Sequence, residues 1–111
     1  MQHRDEQIVI KLISESEELD SLLDGFELSL FLSDERTKRA VSMTLINIGE
    51  LVKNTTEELR ETNPQIPWRL IAGLRDVTAH HYQALIMEDI WETAKNDIPE
   101  FRRKLLVLLE N

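Results

Sequence analysis

A long apolar stripe in the middle of the chain constrains the fold more than any other feature. Between residues 41 and 59 apolar and small side chains recur every three or four positions, at Val41, Thr44, Leu45, Ile48, Leu51, Val52, Thr55 and Leu59. This spacing places them on one face of an α-helix, and no proline interrupts the segment before Pro64. We therefore expect one helix of about 28 residues, roughly 42 Å long at 1.5 Å per residue. Such a helix is long for a chain of 111 residues.

The segment before this stripe is predicted to form a first helix and a short connection. Apolar positions with helical spacing stop at Gly25, a residue type common just after helix ends; they are Val9, Leu12, Ile13 and Leu23, with Ser16 on the same face. The stretch "FELSLFLS", residues 26–33, is interpreted as a loop or single-turn connection that places Phe26 and Phe31 on the core. Ser33 or Asp34 then caps the long helix.

Two further helices are predicted after the stripe. Asn63-Pro64 cannot continue a helix, whereas Pro67 suits the first turn of the next one. This third helix leads into "RDVTAHHY", residues 75–82, and a fourth begins at or just before Asp89.

The predicted fourth helix contains a proline, Pro99, that does not interrupt the helical spacing of its apolar residues. Spacings of three and four continue across Pro99, at Trp91, Ala94, Ile98, Phe101, Leu105 and Leu108. We therefore expect a kinked continuous helix, with a fresh helix capped by Asp97 as the alternative. Together the patterns predict an all-α protein, an antiparallel up-and-down bundle of four helices in a single domain, residues 1–111.

Composition and charge limit the possible functions. The chain has no cysteine, which excludes disulfides, thiolate metal sites and cysteine nucleophiles. We find neither a signal peptide nor an apolar run of about 18 residues, so we expect a cytoplasmic protein without a membrane partner. The net charge is −8, and residues 1–27 hold eight acidic residues against Arg4 and Lys11. This balance disfavours unspecific duplex binding, so any nucleic acid contact must rest on a local group of arginines.

The segment "RDVTAHHY" concentrates residues that handle phosphate and protons. Arg75 offers a planar fork of donors that matches phosphate oxygens. At position 80 stands a histidine, the residue type that ordinarily titrates near neutral pH and can transfer protons. Because RNA carries its own nucleophile in the 2′-hydroxyl, these two groups suffice for metal-free RNA cleavage. DNA lacks that hydroxyl and is not an expected substrate. The alternative is a polar helix end with a solvated arginine.

The spacing within this segment sets a geometric condition. On an unbroken helix Arg75 and His80 lie roughly 140° apart, so either the helix unwinds after about Thr78 or a second subunit completes the site. Asp76 and His80 are four residues apart and could share a helical face, but two ligands do not make a metal site. We therefore expect neither a metal nor another cofactor.

The chain resembles the HepT-like toxins of the HEPN superfamily, small helical proteins of prokaryotic toxin–antitoxin operons. The likeness covers nearly the whole chain and rests on "INIGEL", "IPWRLIAGLRDVTAHHY" and "DIWETAKNDIPEF". The family signature R-x-x-x-x-H-x-Y is met by Arg75, His80 and Tyr82, with the polar residue Asp76 after the arginine.

This resemblance implies a homodimeric HEPN-type bundle that cleaves RNA without metal, using Arg75 and His80. It implies a nucleotidyltransferase antitoxin as partner, which silences the toxin by transferring AMP to Tyr82. His81 either assists proton transfer or is a solvated bystander. Glu50 either orients the site or the dimer contact, or is an exposed helix charge. The alternative function is a non-catalytic HEPN module that binds RNA, a nucleotide or the nucleotidyltransferase.

Overall fold

The computed structural model describes residues 1–80 and 87–110, with the side chains of residues 76–80 excepted. The described ranges contain helices and no strand, which confirms the predicted all-α class. In chain order the elements are α1 (His3–Leu23), α2 (Leu28–Ser33), α3 (Glu35–Lys53), α4 (Glu57–Thr62), α5 (Trp68–His80), α6 (Met87–Glu92), a π-helical turn (Thr93–Asp97) and α7 (Ile98–Glu110). None of these helices is both long and apolar enough to cross a membrane.

Two predicted helix termini are confirmed by their cap geometry. Gly25 follows α1 with φ of 79°, the left-handed conformation that favours glycine. Asp34 caps α3, and its Oδ1 accepts a hydrogen bond from the backbone N–H of Thr37 at 3.1 Å. The preceding connection is more ordered than predicted, because residues 28–33 form the six-residue helix α2, which buries Phe31.

The predicted 28-residue helix is wrong in length. α3 ends at Lys53 after 19 residues, and a separate short helix, α4, begins at Glu57 with Thr56 as its N-cap. The break is held from outside the segment: the buried carboxylate of Asp5 accepts hydrogen bonds from the backbone N–H of Thr56 at 3.0 Å and from its hydroxyl at 2.6 Å. Periodicity missed this break because Thr55 and Leu59 are both buried, so the stripe stays in phase across it.

The start of α1 therefore lies against the turn that follows α3, and the two helices run in opposite directions. The core between the helices contains most of the predicted apolar positions, including Val9, Leu12, Leu45, Ile48, Ile71, Ile98 and Phe101. Two ring pairs join its ends: Phe31 packs on Trp91 with centroids 5.3 Å apart, and Trp68 meets Phe101 edge-on at 6.1 Å. α3 is central, since it packs against α1, α2, α5 and α6.

The helix that contains Pro99 is continuous, as its apolar phase predicted. The residues before the proline widen into a π-helical turn, in which the N–H of Ile98 bonds to the carbonyl of Thr93. Pro99 has no N–H to donate to the preceding turn, so a wider turn at this point relieves the clash that the ring would otherwise cause. Asp97 lies inside the π-helical turn, and the chain does not restart there.

The Asp5 contact predicts a specific loss of stability. Asp5→Ala removes the acceptor for both the N–H and the hydroxyl of Thr56, and we expect the free energy of unfolding to fall by about 1–3 kcal/mol. Urea denaturation followed by circular dichroism measures it. Glu6→Ala is the matched control: the neighbouring carboxylate is exposed, and its loss is expected to change stability by less than about 0.5 kcal/mol. Equal effects of the two substitutions would contradict this role of Asp5.

Candidate active site

A close approach of α3 and α5 positions the predicted arginine. A Cβ atom placed on Gly49 of α3 would lie 2.7 Å from the backbone nitrogen of Arg75 and 3.1 Å from the carbonyl oxygen of Ala72. Real Cβ atoms do not approach backbone this closely, so the two helices can touch here only because residue 49 has no side chain. Gly49 thereby brings the Arg75 backbone directly against α3.

Glu50 lies beside this contact and pairs with the arginine. One carboxylate oxygen of Glu50 is 2.6 Å from Nε of Arg75. Both side chains are about half exposed, 52% for Glu50 and 41% for Arg75, so solvent screens the ion pair and it adds no more than about 1 kcal/mol to stability. Its effect is therefore mainly geometric: it favours an orientation in which Nε of the guanidinium group points to Glu50.

α3 and α5 run in opposite directions along this contact. Lys53, at the end of α3, lies near Arg69 and Ala72 in the first turns of α5, whereas Gly49, one turn earlier, faces Ala72 and Arg75. The next turns of α5 therefore pass the earlier turns of α3. Asp76 and His80 belong to these later turns, and the structure describes their backbone as helix.

The extent of α5 tests one of the two sequence expectations for this segment. The helix extends to His80, so the expectation that it unwinds after about Thr78 is wrong. Positions 75 and 80 are consequently about 140° apart around α5. His81 and Tyr82, which complete the predicted motif, lie outside the described residues.

A cleft next to the contact between α3 and α5 reaches Ala72, whose carbonyl oxygen faces Gly49. It has a volume of about 700 Å³ and lies between the end of α3, α4 and the start of α5. Lys53 and Arg69 line it together with Glu57 and Glu61, and exposed apolar surface comes from Pro64 and Leu70. The sequence analysis did not identify this cleft.

Within the described ranges, neither a cluster of metal ligands nor a carboxyl group with a shifted pKa indicates another functional site. No three His, Asp or Glu side chains gather there as ligands for a metal ion. The carboxyl groups with a shifted pKa lie elsewhere: hydrogen bonds from Lys38 and Arg103 lower the pKa of Glu35 and Glu100, respectively.

The comparisons with known proteins agree with the family resemblance. A family model described as "Ribonuclease HepT-like" matches residues 12–108, and the chain therefore belongs to the HepT-like family. A "Putative RNase" of Caldanaerobacter subterraneus subsp. tengcongensis is 35% identical over 99 residues, covering 89% of this chain and 88% of its own. A "Putative RNase" of Methanocaldococcus jannaschii is 30% identical over 100 residues, covering 90% and 86%.

A third relative carries the family name itself. "Probable ribonuclease HepT" of Thermococcus cleftensis is 39% identical over 74 residues, which is 67% of each chain. No solved structure matches this chain.

The role of Gly49 as a contact point predicts opposite effects for two glycines. Gly49→Ala forces α3 and α5 apart, and we expect a loss of about 1–3 kcal/mol in the free energy of unfolding. Gly73→Ala on α5 has open space around its new Cβ and should gain up to about 1 kcal/mol from better helix propensity. Chemical denaturation of both variants tests this. A stable Gly49→Ala protein would show that the contact does not require glycine.

Proposed function

We propose that this protein is a metal-independent endoribonuclease toxin, paired with a nucleotidyltransferase antitoxin. The observation that carries the proposal is the position of Arg75, held against α3 by Gly49 and directed by Glu50, on the same helix as His80. Membership of the HepT-like family and the ribonuclease names of its relatives support it.

The proposed reaction divides two tasks between Arg75 and His80. The 2′-hydroxyl of the substrate attacks the adjacent phosphorus, the bond to the 5′-oxygen breaks, and the products are a 2′,3′-cyclic phosphate and a free 5′-hydroxyl. Arg75 stabilises the charge that gathers on the phosphate oxygens. His80 transfers a proton as general acid or base. No step requires a metal ion.

Glu50 and the remaining motif residues have supporting parts in this proposal. Glu50 orients the Arg75 guanidinium through Nε, as the ion pair at 2.6 Å allows. Asp76 follows the arginine on the same helix, and His81 is the candidate for an auxiliary proton carrier.

A homodimer provides the geometry that one helix does not. With about 140° between positions 75 and 80 on a continuous α5, two protomers related by a two-fold axis would present Arg75 of one subunit and His80 of the other to a shared cleft. This arrangement would also concentrate positive charge from two copies on a protein whose net charge is −8.

The antitoxin would act on Tyr82. Transfer of AMP from ATP to the phenolic oxygen releases pyrophosphate and leaves a phosphodiester on a residue two positions from His80 in the sequence. The added negative charge and bulk would repel and obstruct an incoming RNA phosphate.

Cleavage of single-stranded RNA tests the reaction. In excess chelator we expect fragments with cyclic phosphate ends, and we expect His80→Ala and Arg75→Ala each to reduce the rate by about 100-fold or more. Arg103→Ala, which removes an exposed arginine on α7, is the control and should cleave normally. Strict dependence on a divalent metal would refute the mechanism. Binding of RNA without cleavage would favour the non-catalytic HEPN module.

Intact mass spectrometry tests the proposed silencing. Protein produced together with a cognate nucleotidyltransferase should gain the mass of one or more AMP units, and the modified protein should lose RNA cleavage. Tyr82→Phe should show no gain, because it lacks the acceptor oxygen. An unchanged mass of the parent protein under these conditions, or AMP mapped to another residue, would contradict the role of Tyr82.

A further inference from the structure

We propose that the cleft between α3, α4 and α5 is a subsite for the RNA strand beside the cleaved linkage, and that it selects a base carrying an amino group. This inference rests on the proposed ribonuclease function. It assigns two phosphate contacts to Lys53 and Arg69 and base selection to Glu57 and Glu61.

The position of Arg69 on α5 connects the cleft with the reaction centre. Eleven residues separate positions 69 and 80, so on a continuous helix they lie about 20° apart around the axis and about 16 Å apart along it. Arg69, which lines the cleft, therefore lies on the same side of α5 as position 80. A strand that lies along this side would pass from the reaction centre into the cleft.

Lys53 and Arg69 are suited to bind phosphate. Both side chains are exposed and line the cleft, and within the described residues neither forms an ion pair. Arg60, the third cation of the cleft, has a different role. It donates hydrogen bonds to the carbonyl oxygen of Thr55 at 2.8 Å and to its hydroxyl at 3.1 Å, which ties α4 to the end of α3.

The carboxylates of the cleft indicate what kind of base it holds. Glu57 and Glu61 are one turn apart on α4 and are exposed. A carboxylate repels phosphate but accepts a hydrogen bond from an exocyclic amino group, as from N4 of cytosine. Pro64 and Leu70 offer apolar surface for contact with the ring of the base, and Leu70 is 62% exposed. Uracil has no amino group and would leave the carboxylates without a donor.

Binding measurements in a non-cleaving background separate this subsite from catalysis. In His80→Ala protein, titrated with fluorescein-labelled single-stranded RNA of mixed sequence, we expect Lys53→Ala and Arg69→Ala each to weaken binding several-fold. The slope of log K against log salt is negative, and the double variant should make it less steep by about 1.4, since each phosphate contact with a single strand contributes about 0.7. Arg103→Ala removes the same charge from α7, outside the cleft, and should leave the slope unchanged.

Base selection is tested with cytidine-rich and uridine-rich strands of equal length. The His80→Ala protein should prefer the cytidine-rich strand, and the additional change Glu57→Gln with Glu61→Gln should remove that preference. Suppose that Lys53→Ala and Arg69→Ala leave the salt dependence of binding unchanged, while the protein that retains His80 cleaves RNA. That result would refute the subsite and would not affect the proposed ribonuclease function. If the Lys53 and Arg69 variants change the salt dependence of RNA binding but the protein with His80 does not cleave RNA, the subsite is supported and the proposed ribonuclease function is refuted. If the Lys53 and Arg69 variants bind RNA normally and lose only their binding to a nucleotidyltransferase, the cleft belongs to a protein partner and this inference is refuted.

Discussion

The contact between Gly49 and the backbone of Arg75 is the constraint on which the candidate site depends. A glycine inside a helix costs about 1 kcal/mol relative to alanine, and here the core around it, with Leu45, Ile48 and Ile71 fully or almost fully buried, offsets that cost. The resulting separation of α3 and α5 places Glu50 within 2.6 Å of Arg75. A wider separation would move the carboxylate of Glu50 away from the guanidinium of Arg75. It would also displace Ala72, which lines the neighbouring cleft.

The second constraint, the contact of Asp5 with Thr56, explains why a cleft exists beside this site. If α3 continued to residue 62, as its apolar stripe indicates, the backbone of residues 54–56 would remain inside a regular helix. Instead Asp5 accepts hydrogen bonds from the backbone N–H and the hydroxyl of Thr56, the N-cap of the new helix, and α4 turns away with Glu57 and Glu61 exposed. The break that shortens the central helix therefore also forms one wall of the cleft, and a buried residue near the N-terminus determines the shape of a surface far along the sequence.

The success of sequence analysis depended on whether the relevant interaction was local. The helical faces were predictable because burial repeats with the helical period, and Asp34 and Gly25 were predictable because their caps involve only neighbouring residues. The break after Lys53 depends on a residue 51 positions from Thr56, and a single sequence does not reveal such a pair. The glycine within "INIGEL" was a visible signal, since glycine is unfavourable in a helix without a packing reason, but its partner on α5 was not.

The overall net charge is a poor guide to this molecule because its charges are separated and locally compensated. Asp20 of α1 pairs with the cationic Arg102 at 2.7 Å, and Asp5 is withdrawn from the surface, where it accepts hydrogen bonds from Thr56. Between residues 35 and 75, seven Lys and Arg residues outnumber five Asp and Glu residues. At physiological ionic strength the Debye length is about 8 Å, which is short beside the 42 Å length of the molecule. An RNA phosphate would therefore respond mainly to the charges nearest to it, which at Arg75 include Glu50. The acidic surface of α1 is not remote from this region, because Glu15 of α1 lines one surface pocket together with Glu50.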